Sequence, residues 1–387
     1  MKRTHTKKAF IDRSKANDGF ANFTSRLGAI AQNNLSNGSY QFDLLTRNRL
    51  KLEAMYRGSW LTGNIVDCVA EDMTRAGIDI IHEGDPKEVE TLTAGITRMG
   101  IWGDLADAIK WSRLYGGAIA VMMIDGQDAS TPLDMDTVTK GQFKGLAVYD
   151  RWQLQPTLHD IISEGAEFGL PRFYKLISLQ GENKEYQGVD IHYSRIIRFE
   201  GIRLPYYQAI TEMFWGESVI ERLYDRLLSF DATTMGVANL VERAYLRTVG
   251  IDGLREILAA GGKAEEGLIA QFDYMRMLQN NEGVTLLDKN DEFQAHSYSF
   301  GGLDNVLIQF GQQISGASGI PLVRLFGQSP SGMNATGESD MRMYYDLIAT
   351  KQESMVREGL ARILDVLYRS AYGKAPAKPI RKPKIIN

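Results

Sequence analysis

Apolar and polar positions follow three successive rhythms along this chain. From Arg47 to about Ile124 the rhythm is mainly helical. RLKLEAMYRGSWLTGNIVDCVAEDMTRAGIDI predicts two helices with a break between Gly58 and Gly63. GDLADAIKWSRLYGG sets Leu105, Ala108, Ile109, Ser112 and Arg113 at helical spacing, and its terminal glycine pair suits a C-cap. AIAVMMID then reads as a strand. Between residues 143 and 204 the period shortens to two. FKGLAVYD, FYKLISL and IHYSRIIRFEG alternate apolar and polar residues between turn signals, which predicts an antiparallel sheet.

The helical period returns in ESVIERLYDRLLSFDATTMGVANLVERAYL, where Ile220, Leu223, Tyr224, Leu227, Leu228, Met235, Ala238, Val241 and Tyr245 make one stripe. A helix of that length spans roughly 45 Å. A small module follows, with strand text in LRTVGI, GVTLLD and EFQAHSYSF and helical text between residues 252 and 279. A second long helix puts Leu303, Val306, Leu307, Phe310 and Ile314 on one face, and Pro321 is expected to end it. It carries Gly311, Gly316 and Gly319, each costing up to ~1 kcal/mol in a helix relative to Ala. Such glycines imply close approach of a neighbouring backbone or a need to bend. The simplest geometry is an antiparallel helix pair with the module at its far end. A third long helix runs from near Glu338 to about Tyr372. No internal repeat of fixed period is apparent.

Composition narrows the class. The 387 residues are 44% apolar and 24% charged, enough for a sizeable packed core. No apolar run approaches the ~18 residues of a membrane span. The single cysteine, Cys68, rules out an intrachain disulfide framework or a multi-cysteine metal site and fits a reducing compartment. Its apolar context predicts a buried side chain. The five tryptophans mostly sit in periodic apolar text and read as core residues. The net charge of −4 lacks the basic excess of a tight DNA binder, so any nucleic-acid contact should be loose or confined to patches. The N-terminal ~40 residues are polar and read as an arm. The tail KAPAKPIRKPKIIN reads as a solvated extension or a contact for a polyanion or partner.

Enzyme signatures are scarce. There is no G-x-x-x-x-G-K-[ST], no G-x-S-x-G, no H-E-x-x-H and no dinucleotide fingerprint. The five histidines are scattered, and the DMD at 134–136 reads as a solvated turn rather than a metal site. Neither catalytic residues, a metal nor a cofactor is expected. The stretch 325–340, LFGQSPSGMNATGESD, holds three glycines, three serines, a proline and no base. By itself it reads as a flexible loop or, less simply, as a nest of backbone amides for phosphate.

The order of elements resembles the portal proteins of tailed bacteriophages. FWGESVIERLYDRLLSFDATTMGVANLVERAYLRTVGI and ISGASGIPLVRLFGQSPSGMNATGESDMRMYYDLI carry the resemblance. YRGSWLTGNIVDCVAEDMTRAGIDI is similar to the same family, in a branch formerly described only as a domain of unknown function. The resemblance covers roughly residues 40–372. It implies an α+β portal fold with a mixed α/β wing, a two-helix stem, a small α/β clip and a long kinked wing helix. The implied parts are an arm (1–40), wing (41–216), stem helices (217–246 and 302–319), clip (247–301), tunnel-loop region (320–340), wing helix (341–372) and basic tail (373–387). Many portals carry a helical crown after the wing helix, and here only the tail follows.

The implied function is a non-enzymatic ring, usually of twelve copies, at a capsid vertex. Double-stranded DNA would pass through it during packaging and ejection. The implied partners are the terminase large subunit, a head–tail adaptor, the major capsid protein and scaffold, with no membrane. Assembly would take place in the host bacterial cytoplasm and the product would reside in the virion. Gln328, Ser329, Ser331, Asn334 and Thr336 would face the DNA. Small hydroxyls and amides touch phosphates without the counterion-release affinity that Lys and Arg add. Gly311, Gly316 and Gly319 would permit close packing in the stem. The alternatives are an enzyme acting on nucleotides or nucleic acid through the 325–340 loop, and another virion protein such as an adaptor.

Overall fold

The computed structural model describes residues 44–80, 82, 85–177, 188–243, 247–250, 254, 258–259, 261–278, 292–295, 302–327, 338–378, 380 and 384–385. The predicted N-terminal arm lies outside them. Helices α1 (Arg49–Gly58) and α2 (Trp60–Thr74) part at Ser59, whose hydroxyl accepts from the Thr62 amide and caps α2. Gly63 falls inside α2, so the break is one residue rather than the glycine-bounded stretch predicted. Strand β1 (Ile78–Asp79) leads to α3 (Pro86–Arg98), capped by Asp85 with proline at its first position, and then to α4 (Ile101–Tyr115). Gly116 closes α4 at φ 88, the cap that the glycine pair predicted.

Six strands follow: β2 (Gly117–Ile124), β3 (Phe143–Asp150), β4 (Leu154–Pro156), β5 (Phe173–Leu176), β6 (Asp190–His192) and β7 (Ile196–Glu200). All their pairings are antiparallel, but they form two sheets, ordered β3-β2-β7 and β4-β5-β6, where one was predicted. Burial explains the division. Ala120 and Met122 of β2, with Ile197 and Phe199 of β7, face the helical core. Ile119, Val121 and Ile196 point the other way, onto Leu154, Tyr174, Leu176 and Ile191 of the second sheet. The first sheet is therefore buried on both faces, as its near-continuous apolar text requires.

Short α5 (Tyr206–Thr211) precedes α6 (Tyr224–Arg243), which a 3-10 turn at Glu221–Leu223 introduces. Strand β8 (Arg247–Gly250), α7 (Lys263–Leu278) and β9 (Glu292–Ala295) form the small module, with β8 and β9 paired antiparallel. GVTLLD lies outside the described residues. Helix α8 (Leu303–Ser318) returns along α6. Gly319, in the left-handed region at φ 69, ends α8. Pro321 begins the five-residue α9 (Leu322–Phe326) instead of ending α8 as predicted.

Helix α10 (Glu338–Lys351), a π-turn (Gln352–Val356) and α11 (Arg357–Tyr372) make the third long helix, and the π-turn supplies the predicted irregularity. Leu360, Ile363, Leu364, Leu367 and Tyr368 of α11 are buried in the main core. Burying each such Leu or Ile is worth ~1.5–3 kcal/mol. Gly359 lets α11 sit directly on β7, since a Cβ there would meet Ile197 Cγ2 at 2.5 Å. Strand β10 (Lys384–Ile385) pairs antiparallel with β1, setting Ile78 opposite Ile385. The tail is thus not wholly a solvated extension: its backbone groups bond to β1, and Ile380 packs against the core.

Candidate functional site

Residues 328–337 connect α9 to α10. Gln328, Ser329, Ser331, Asn334 and Thr336 all lie outside the described residues. Their flanks do not, and both flanks dock on α2. Asp72 is the centre of this dock. Its Oδ2 accepts from Arg324 Nε of α9 at 3.0 Å and from the Tyr344 hydroxyl of α10 at 2.8 Å. Its Oδ1 lies 3.4 Å from Arg324 Nη2 and 3.6 Å from Arg75 Nη1. The Asp72 side chain is only 2% exposed. A carboxylate so far from water is tolerable only with such partners. Burial, and then the bond to Asp72, push the Tyr344 phenol well above its ordinary range. The same carboxylate raises Arg324 against the opposing effect of its burial.

Further contacts fix the α9 side. Asn64 Nδ2 donates to the Leu325 carbonyl at 3.0 Å. Phe326 stands edge-on between Trp60 of α2 and Phe230 of α6, with ring centroids 5.6 and 5.9 Å away. Aromatic pairs of this geometry add ~0.5–1.5 kcal/mol beyond area burial. Gly311 of α8 underlies the same ring, its would-be Cβ 3.4 Å from Phe326 Cζ. On the α10 side, Gln352 Nε2 donates to the Met73 carbonyl, filling an end-of-helix acceptor of α2. Three helices, α2, α6 and α8, therefore converge on Phe326 at the end of α9.

The predicted close-packing glycines divide. Gly311 makes room for Phe326, not for the crossing of α8 with α6. Gly319 is a helix cap. A Cβ on Gly316 would meet nothing within 4 Å. Within the single chain the close neighbours are thus α9 at Gly311 and Leu347 of α10 at Gly319, not the partner helix α6.

Two cations nearby lack a carboxylate partner among the described residues. Arg113 is buried and donates to the Val66 and Ile65 carbonyls at 3.2 and 2.6 Å. Burial lowers its pKa to about 10. Lys351, at the π-turn, is lowered to about 8 by burial and then by the Arg113 charge.

The described residues hold no cluster of His, Cys, Asp and Glu suited to a metal ion. Asp134 caps a 3-10 turn and Asp136 pairs with Arg369, so the DMD is a surface turn as predicted. Cys68 is buried, also as predicted. Trp60 is not a core residue: it is 57% exposed because it opens α2 beside Phe326. Asp72, Arg324, Tyr344 and Asn64 were missed by sequence reasoning. A signal for Asp72 was present, since it follows Ile65 and Val69 by seven and three positions and so falls on the apolar stripe of α2.

The family described as phage portal protein matches residues 50–382. A Sphingomonas paeninsulae protein named anti-CBASS protein Acb1 is 33% identical over 367 residues, covering 92% of this chain and 56% of its own length. A protein of the same name from Caulobacter sp. (strain RHG1) is 29% identical over 377 residues, covering 93% of this chain and 58% of its own. The chain thus spans little more than half the length of these relatives. Among solved structures, a chain from the neck of a native GTA particle computed with C12 symmetry has a TM-score of 0.55 at 15% identity, covering 91% of this chain and 87% of that one. At that identity the likeness shows the fold alone.

Proposed function

Because the chain belongs to the phage portal protein family, we propose that it is one subunit of a ring at a capsid vertex through which double-stranded DNA is packaged and ejected. The observation that carries the reading is the α6–α8 pair. It leaves Leu228 and Met235 of α6 and Val306 and Ile308 of α8 more than 40% exposed after the two helices have packed together. Leu228 and Met235 are seven residues apart and share one face. An apolar face left over on a paired helix calls for a further partner. In a closed ring that partner is the next copy, meeting it head to tail.

On this reading residues 41–216 and 341–372 form the wing, 217–246 and 302–319 the stem, and 247–301 the clip. The clip would meet the terminase large subunit and later a head–tail adaptor. The wing would meet the major capsid protein and scaffold during assembly in the host bacterial cytoplasm. The 328–337 segment would border the channel, with Gln328, Ser329, Ser331, Asn334 and Thr336 toward DNA. It carries no Lys or Arg, so it would touch phosphates without holding them.

The chain would act without catalysing a reaction. The name of the two relatives belongs to proteins that this chain matches over 56% and 58% of their length, and that role is not carried to this chain. Native mass spectrometry with negative-stain images of the same sample tests the proposal. A ring of about twelve copies with a central hole is expected. A monomer that hydrolyses a nucleotide or nucleic acid would overturn it.

A further inference from the structure

We propose that Asp72 is a positioning residue that couples α9 to α10, so that neither flank of the 328–337 segment can loosen alone. Both flanks meet one oxygen atom: Arg324 Nε and the Tyr344 hydroxyl both donate to Asp72 Oδ2. Their other holds are separate: Asn64 and the rings about Phe326 serve α9 alone. Helix α9 has five residues, far too few to be stable on its own local bonds. In α10 the buried side chains are Tyr344 and Ile348, and only Tyr344 lies in its first half.

The coupling follows from burial. When one donor leaves, the carboxylate is left short of a partner where water reaches it poorly. It then turns toward whatever donor remains, and the bond geometry of the surviving flank changes with it. Arg75, the other nearby cation, stands farther off at 3.6 Å on Oδ1 and is itself half exposed. It also faces the Tyr345 ring at 5.4 Å, so it is shared with α10 rather than free to replace Arg324. The last turn of α2 thus touches α9 through Arg324, α10 through Tyr344 and Tyr345, and the π-turn through Gln352. That the coupling governs a DNA-facing loop rests on the channel reading above. The coupling itself does not.

Amide hydrogen exchange on the full chain, without DNA, tests it. Peptides covering 322–327 and 338–345 report the two flanks, and a peptide within 357–372 reports α11. Tyr344→Phe keeps the ring and removes only the donor. It should speed exchange roughly ten-fold in its own flank and also at 322–327, with α11 unchanged. Arg324→Met should do the same at 338–345, and Arg324→Lys, which keeps a cation near Asp72, should restore part of the protection there. Each variant loosening only its own flank would overturn the proposal, as would equal acceleration in α11. If Arg324→Met does not fold, Tyr344→Phe read at 322–327 still tests the coupling. An uncoupled result would leave the ring reading standing, and a failure to form rings would leave the coupling standing.

Discussion

A Cβ on Gly116 would lie 2.3 Å from the carbonyl oxygen of Gly216. The two glycines cross where α4 ends and where the chain turns toward α6, and the Gly216 amide donates to the Gly116 carbonyl at 2.9 Å. The approach fixes the segment before α6 to the first sheet. Gly116 also has φ 88, which an L side chain rarely adopts. Gly116→Ala should therefore lose about 2–4 kcal/mol of stability, from overpacking plus backbone strain. Urea unfolding measures it, and a loss under ~1 kcal/mol would show that the crossing can relax.

Lys351 gives a pH dependence with a definite sign. Its proton leaves the folded chain near pH 8 and the unfolded chain near the ordinary 10.5. Below pH 8 both states hold the proton and the cost of the buried charge is fully present. Between 8 and 10.5 only the unfolded state holds it, so stability rises with pH. Lys351→Met should be more stable than the natural chain at pH 7, by on the order of 2 kcal/mol. The difference should fade toward pH 10.5. Unfolding free energies at pH 7 and pH 10 that differ equally between the two proteins would show that Lys351 is solvated.

Gly316 separates the single chain from the assembly. Since its Cβ position is open within the subunit, Gly316→Ala should raise monomer stability by up to ~1 kcal/mol. Gly316→Leu should leave the monomer folded but impair rings, if a neighbouring copy approaches α8 there. Rings of normal abundance from Gly316→Leu, counted by negative stain, would remove the close-packing role from this position altogether.

Deleting residues 329–336 should leave ring assembly intact and reduce DNA packaging or retention. The prediction depends on the flanks, which are anchored on α2 independently of the deleted residues. Packaging at the natural level, measured as nuclease-protected DNA, would mean that the segment does not act on DNA.

Much of the fold was legible because local chemistry and tertiary packing agree. The Gly116–Gly117 pair announced the end of α4, and the alternation from 143 to 204 announced strands. The partition into two sheets was hidden because β2 is apolar on both faces, and an unbroken apolar run does not say what lies on either side. The tail misled by its charge: five basic residues suggested solvent, but backbone pairing with β1 is indifferent to them. Trp60 misled by its context, because periodicity marks a face without saying whether another element covers it. At the candidate site the polar 325–340 text was conspicuous, while its anchor, Asp72, lay more than 250 positions away on an apolar stripe. Distance in sequence, not weakness of interaction, concealed it.

The burial of α11 has a consequence for the order in which the molecule forms. Leu360, Ile363, Leu364 and Leu367 fill a core shared with α2, α3, α4 and β7, all complete by residue 200, and with Leu227, Ile314 and Leu325 of later helices. The early walls leave the ribosome well before α11 and must wait, with apolar surface uncovered, while α6, the small module and α8 are synthesised. Contacts of such high sequence separation close slowly. Waiting intermediates with exposed apolar surface and unpaired strands are the ones that aggregate. The core is sealed only once residues 357–372 have been made. Yield in a heterologous host is then set by how long residues 44–200 stand open, so slower, cooler synthesis with holding chaperones should improve recovery more than any change to α6 or α8.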